Sequence, residues 1–203
     1  MNYKLLGYWL LGCYALPVHA EGIQPSFING PKLYVGGSVG GSQQGDSCND
    51  PFFEGSCDNK DTSWKVFGGV RLNPMTGAEI TYHELGTAKM NGVSGGTYAS
   101  MKNSVSGTSI SGVGYVPMAQ GLEAFAKAGA MFWERETTQS TSQRSEKNSD
   151  NGTSPLLGLG AQYQLNNNLH VRGEWEHTFN VGSDSAYETD VDQYTVGMMY
   201  STL

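Results

Sequence analysis

Residues Leu169–His177 read LHVRGEWEH. His170, Arg172, Glu174 and Glu176 share one parity, while Leu169, Val171, Gly173 and Trp175 share the other. Successive side chains of a strand point to opposite faces, so this segment carries one apolar face and one ionised face. In a soluble sandwich the apolar face turns inward and the charges meet water. In a membrane barrel the apolar face is outermost and the charges line the lumen. The same alternation therefore describes two opposite proteins.

The beginning of the chain favours export. Lys4 supplies a positive first region, LLGYWLLG (5–12) a short apolar run, and Val18-His19-Ala20 a small-residue cleavage site. Residues 1–20 are thus expected to be a cleaved signal peptide, with 21–31 a short N-terminal segment and 32–203 the folded unit. Leu10-Leu11-Gly12-Cys13 also has the form of a lipoprotein box, which leaves lipidation at Cys13 open. No stretch reaches the ~20 consecutive apolar residues of a membrane-spanning helix.

Composition narrows the class further. With 12 basic and 19 acidic residues the net charge is −7, which argues against nucleic acid as a partner. Hydrophobic content of 38% is low for a soluble core of this length, but a barrel needs only one apolar face per strand. The 28 glycines lie inside alternating segments such as Tyr34-Val35-Gly36-Gly37 and Leu157-Gly158-Leu159-Gly160, as suits bent, tightly closed strands. Cys48 and Cys57 are the cysteines beyond the leader, and in an exported chain such a close pair reads as a disulfide. It would enclose Phe52 and Phe53, an apolar pair suited to a contact surface.

Strand candidates fall at 32–41, 63–73, 77–86, 104–117, 121–134, 154–165, 169–179 and 191–201. The separators 42–62, 87–103, 135–153 and 180–190 are long and rich in Ser, Thr, Asn and charge. Those at 74–76, 118–120 and 166–168 are short, with Asn, Pro and Gly turn chemistry. Regular long–short alternation predicts an all-β fold: an eight-stranded antiparallel up-and-down transmembrane β-barrel with four external loops of low order. Trp64, Tyr82, Trp175 and Tyr194 would mark one membrane interface, and Tyr163, Tyr200 and Tyr115 the other. The 104–117 strand is ambiguous, with apolar residues on both parities. Trp133 falls on the inward parity near the outer rim, which fits a barrel poorly unless a bulge shifts the register.

SWKVFGGVRLNPMTGAEITYHELGTA (63–88) resembles the OmpA-like transmembrane family. In that family a strand ends in Asn-Pro, turns, and rises through an inward Glu to an acidic residue, Leu and Gly. The matching positions are Asn73, Pro74, Glu79, Glu84, Leu85 and Gly86. YVGGSVGG (34–41) and Ala126-Lys127-Ala128-Gly129 resemble the family's first and fifth strands. The sequence departs in showing no peptidoglycan-binding domain after the eighth strand. It also places Thr202 where the family's insertion signal carries an aromatic, although Gly197 and Tyr200 match that signal.

The inward charges Arg71, Glu79, Glu123, Lys127, Arg172, Glu174 and Glu176 are the candidate site. Arg71 and Glu79 flank the 74–76 turn and are expected to pair across it. Unpaired charges in so narrow a lumen are costly, so an interlocked ion-pair network is expected. The resemblance adds a gate whose pairs exchange to admit small ions. His83, His170 and His177 are dispersed, and none offers a nucleophile pairing or metal-ligand spacing. No catalysis, cofactor or metal is therefore expected. The functional expectation is a monomer in the bacterial outer membrane, contacting lipid and lipopolysaccharide. Its role would be structural, with the loops meeting a host or surface ligand. The alternatives are a narrow low-conductance pore and a soluble lipocalin-like periplasmic binder.

Overall fold

The computed structural model describes residues 30–45, 54–94, 97–141, 145–182 and 189–202. Within them the alternating segments form β1 (Lys32–Gln44), β2 (Glu54–Asp58), β3 (Lys60–Asn73), β4 (Thr76–Ser94) and β5 (Thr97–Ala119). β6 (Leu122–Thr141), β7 (Ser145–Gln164), β8 (Leu169–Val181) and β9 (Thr189–Ser201) follow. Antiparallel ladders run β1-β9-β8-β7-β6-β5-β4-β3, and β3 returns to β1. Eight strands thus close into a barrel, so the wall has no free edge. β2 stands outside this closure and pairs with Lys89–Val93, where β4 continues past the rim.

The short turns are made locally. Asn73 Oδ1 accepts from the amides of Met75 and Thr76 at 2.8 and 2.9 Å. Asn166 Oδ1 does the same for Asn168 and Leu169 at 3.0 and 2.9 Å. An asparagine side chain here replaces a backbone carbonyl in a tight turn. Gly121 supplies the left-handed backbone (φ 76°) of the third short connection.

Side-chain parity is inverted relative to a soluble protein. Val35, Val39, Val66, Ile80, Ile110, Leu157, Leu159, Val196 and Met198 are exposed, whereas Lys65, Glu79, Lys127, Arg172 and Glu176 are buried. An apolar belt this continuous is a surface for hydrocarbon. Trp64, Tyr82, Phe132 and Tyr194 are exposed towards the long-loop end, and Tyr163 and Tyr200 towards the short turns. Trp64 and Tyr82 pack with ring centroids 5.7 Å apart.

One ambiguity is resolved and three expectations need correction. The 104–117 strand resolves cleanly: Val105, Ser109, Ser111, Val113 and Tyr115 are buried while Ile110 and Val116 are exposed. Tyr115 therefore belongs to the lumen and not to an interfacial girdle. Trp133 needs no bulge; it sits in continuous register between Gly107 and Gly152 and is only 3% exposed. Finally, the separators 87–103 and 135–153 are largely strand. The β4–β5 ladder runs to Ser94↔Thr97 and the β6–β7 ladder to Ser140↔Ser145. Polar composition misleads there because a ladder wetted on both faces needs no apolar alternation, and its threonines suit extended backbone.

β8 stops pairing with β7 at Leu156↔Thr178. The earlier part of β7 consequently rises beyond it for about ten residues, roughly 35 Å at strand spacing. Leu159, 55% exposed between the aromatic levels, reports on the belt. Leu159→Arg should lower stability by about 2–4 kcal/mol if it lies near the bilayer centre, read by reversible urea unfolding from lipid vesicles.

Candidate functional site

Six ionised side chains meet inside the barrel, drawn from four strands. Lys65 comes from β3, Glu79 from β4, Lys127 from β6, and Arg172, Glu174 and Glu176 from alternate positions of β8. Lys65 Nζ bonds Glu174 at 2.6 Å and also Glu176. Lys127 Nζ reaches Glu176 at 2.5 Å, Glu174 at 2.7 Å and Glu79 at 3.1 Å. Arg172 bonds Glu79 at 2.7 Å and Glu174 at 3.2 Å. Three cations thus face three carboxylates, all withdrawn from water. Removing such groups from solvent costs several kcal/mol per ion, offset only when every charge is matched by close partners.

Aromatic rings clamp this cluster from the short-turn side. The Arg172 guanidinium lies 4.0 Å from the centroid of Phe125 and 4.7 Å from that of Phe67. Both rings have room because each stands opposite a glycine in the ladder, Phe67↔Gly36 and Phe125↔Gly160. A Cβ on Gly36 would lie 2.5 Å from the Phe67 ring, so any larger residue would displace it. Tyr34 Oη donates to Glu79 at 3.1 Å, and Tyr115 Oη donates to Tyr34 Oη at 3.2 Å.

Arg71 does not pair with Glu79. In the ladder Arg71 stands opposite Gly77 and Glu79 opposite Gly69. Glu79 lies deeper, where two cations engage it, and Arg71 sits at the mouth. There Arg71 forms a bidentate bond with Glu123 (2.8 and 2.9 Å) and covers the Tyr115 ring at 4.3 Å. Strand tilt brings residues of non-adjacent strands to one level of a barrel, a proximity that spacing along a hairpin does not show. Lys65 was the cation omitted from the charge set read in the sequence, although its parity placed it inside.

Towards the long loops, His83 Nδ1 lies 3.1 Å from Gln193 Oε1 and its Nε2 2.9 Å from Ser109 Oγ. Above this level Leu85, Val105, Met131, Trp133, Leu156, Val181 and Val191 form a buried apolar layer. Trp133 Nε1 donates to Ser154 Oγ at 2.8 Å, which satisfies its one polar atom. Sequence reasoning missed this layer; inward parity at Met131, Trp133 and Leu156 was its signal. His177 lies on the outer face, its Nδ1 2.9 Å from Asp192 Oδ1. Cys48, Phe52 and Phe53 lie outside the described residues. Cys57 stands in β2 opposite Met90.

A closed, outward-apolar, charge-filled barrel has known counterparts. Residues 29–202 match the OmpA-like transmembrane domain. The chain belongs to that family. Outer membrane protein A of Escherichia fergusonii is 28% identical over 178 residues, covering 82% of this chain and 47% of the relative. The Shigella dysenteriae protein gives the same identity and coverage. This OmpA-like chain thus spans about half the length of the curated relatives it matches. A major outer membrane protein of Thermus thermophilus shares the fold at TM-score 0.58 and 13% identity, covering 86% of this chain and all of that one. Ail of Yersinia pestis does so at 0.55 and 14%, with the same coverage. The chain is an eight-stranded barrel of the bacterial outer membrane.

The interlocked charges make single removals expensive. Glu79→Ala should destabilise by about 3–5 kcal/mol because it strands Lys127 and Arg172. Glu79→Ala with Lys127→Met should cost less than the sum of the two single changes. Urea titration of tryptophan fluorescence in a double-mutant cycle measures that coupling.

Proposed function

We propose that this barrel is a monomeric, non-catalytic element of the outer membrane. It would add mechanical and packing integrity to the envelope and meet surface ligands through the polar strands and loops beyond the bilayer. The observation that carries the reading is the triple closure of the lumen: an aromatic-clamped ion cluster, a hydrogen-bonded histidine level and an apolar layer in series. A solute entering would have to displace matched charges and then cross a dry constriction. Support for surface contact comes from the overhanging β4–β7 ladders, whose polar residues stand clear of the hydrocarbon belt.

The Cys48–Cys57 pair would fix one loop and present Phe52 and Phe53 as an apolar contact. Ail, which shares the fold, has been solved with the heparin analogue sucrose octasulfate. A net charge of −7 disfavours a polyanion here, so the ligand expected of these loops is neutral or cationic.

Purified protein in planar bilayers should give no stepwise conductance. Steps that change on Glu79→Ala would replace this reading with a narrow gated pore. On intact cells, external trypsin should cut within 135–153 while leaving a membrane-embedded barrel, detected by mass spectrometry of the washed outer membrane.

A further inference from the structure

The ladders beyond the hydrocarbon belt carry a charge pattern that works against their own stability. Lys65 and Lys127 belong to the lumenal cluster, and Lys32 lies at the short-turn mouth. Lys60, Lys89, Lys102 and Lys147 are different: all four are exposed, past the aromatic level at the long-loop end. Lys89 and Lys102 face each other directly across the β4–β5 ladder. Their row continues through Thr138 to Lys147 on one side and to Asp58 of β2 on the other. Like charges directly opposite each other destabilise a sheet.

The carboxylates of that outer face are engaged elsewhere. Glu136 pairs with Lys147 at 2.8 Å. Glu134 accepts from Ser149 Oγ at 3.1 Å, Glu84 from Tyr82 Oη at 3.4 Å, and Asp58 Oδ1 from the Lys60 amide at 3.2 Å. Among the described residues neither the Lys89 nor the Lys102 ammonium forms an ion pair. Height then selects what can neutralise them. Tyr82, Thr108 and Phe132 share one row at the aromatic level. From Thr108 up to Lys102 is about 20 Å of strand, roughly 15 Å of height at the tilt of a barrel. Phospholipid headgroups reach only about 5–8 Å past the hydrocarbon. The two ammoniums stand clear of that layer, at the height of phosphates carried on sugars.

We propose that Lys89 and Lys102 hold a core-sugar phosphate of lipopolysaccharide against the outer wall of the barrel. One phosphate between them turns a repelling cross-strand pair into a bridged one. Asn91, Ser100 and Thr138 neighbour the pair on the same face and offer amide and hydroxyl donors to the remaining oxygens. The net charge of −7 does not oppose this contact. It acts on approach from solution and is screened beyond about 8 Å, whereas the glycolipid already surrounds the wall. The contact deepens the envelope-packing role proposed above, and glycolipid binding and bilayer conductance test the two separately.

The test uses the full chain refolded in neutral-detergent micelles, with backbone amide NMR during titration with rough-type lipopolysaccharide. The same lipopolysaccharide stripped of phosphate by hydrogen fluoride, and phosphatidylglycerol, serve as controls. Intact lipopolysaccharide should shift amides around Lys89 and Lys102, and each control should do so at least severalfold more weakly. Lys89→Ala with Lys102→Ala should weaken binding about tenfold, the scale of two lysines at an anionic lipid surface. Lys89→Arg with Lys102→Arg should retain it, and Lys32→Ala, the same charge change at the opposite end, should leave it unaltered. Heat-modifiable gel migration confirms that each variant folds. Equal shifts with either control, full binding in the double alanine variant, or an equal loss in Lys32→Ala would each overturn the proposal.

Discussion

Backbone amides and carbonyls in hydrocarbon have no water to turn to, and each one left unpaired costs several kcal/mol. Closure of the sheet on itself is the strand solution, and the rest of this molecule follows from it. Eight strands close around a space about one side chain deep, so the interior has to be filled by the chain itself. Because outward positions are taken by apolar residues, polar and ionised ones are left for the inside. They are admissible only as a neutral set. The cationic partners of Glu79 come from β6 and β8, strands it does not adjoin in the sheet. The charges therefore become matched only when the barrel closes, which makes wall and filling a single cooperative unit.

Much of this was legible in the order of residues. The alternation in LHVRGEWEH sets charges to one side, and the inverted burial of Val171 and Arg172 follows the membrane reading. Alternating separator lengths located all eight wall strands, since turn chemistry at Asn73 and Asn166 is local. What was not legible depends on tilt or on context. Arg71 and Glu79 are neighbours along a hairpin, yet their partners lie across the lumen, and strand inclination appears nowhere in a spacing. Trp133 looked misplaced because rim aromatics ordinarily face lipid, whereas here it caps the interior. β2 and the long extensions were invisible because Ser- and Thr-rich segments read alike as coil or as wetted ladder.

The glycines show the difference between a correct observation and its cause. They lie inside strands, as bends in a barrel wall would require. Four of them also stand directly opposite inward rings: Gly36 with Phe67, Gly69 with Tyr34, Gly160 with Phe125 and Gly152 with Trp133. The missing side chain is the seat for the ring, and two of those rings position Arg172. Glycine placement thus reaches the electrostatics through packing.

The ladders that climb past the rim bear on which substitutions the chain tolerates. Above the membrane, β5, β6 and β7 are held chiefly by main-chain bonds and touch water on both faces, so side chains there are not tied to the buried filling. Side chains in that region can therefore change without disturbing the charge set that fills the embedded part.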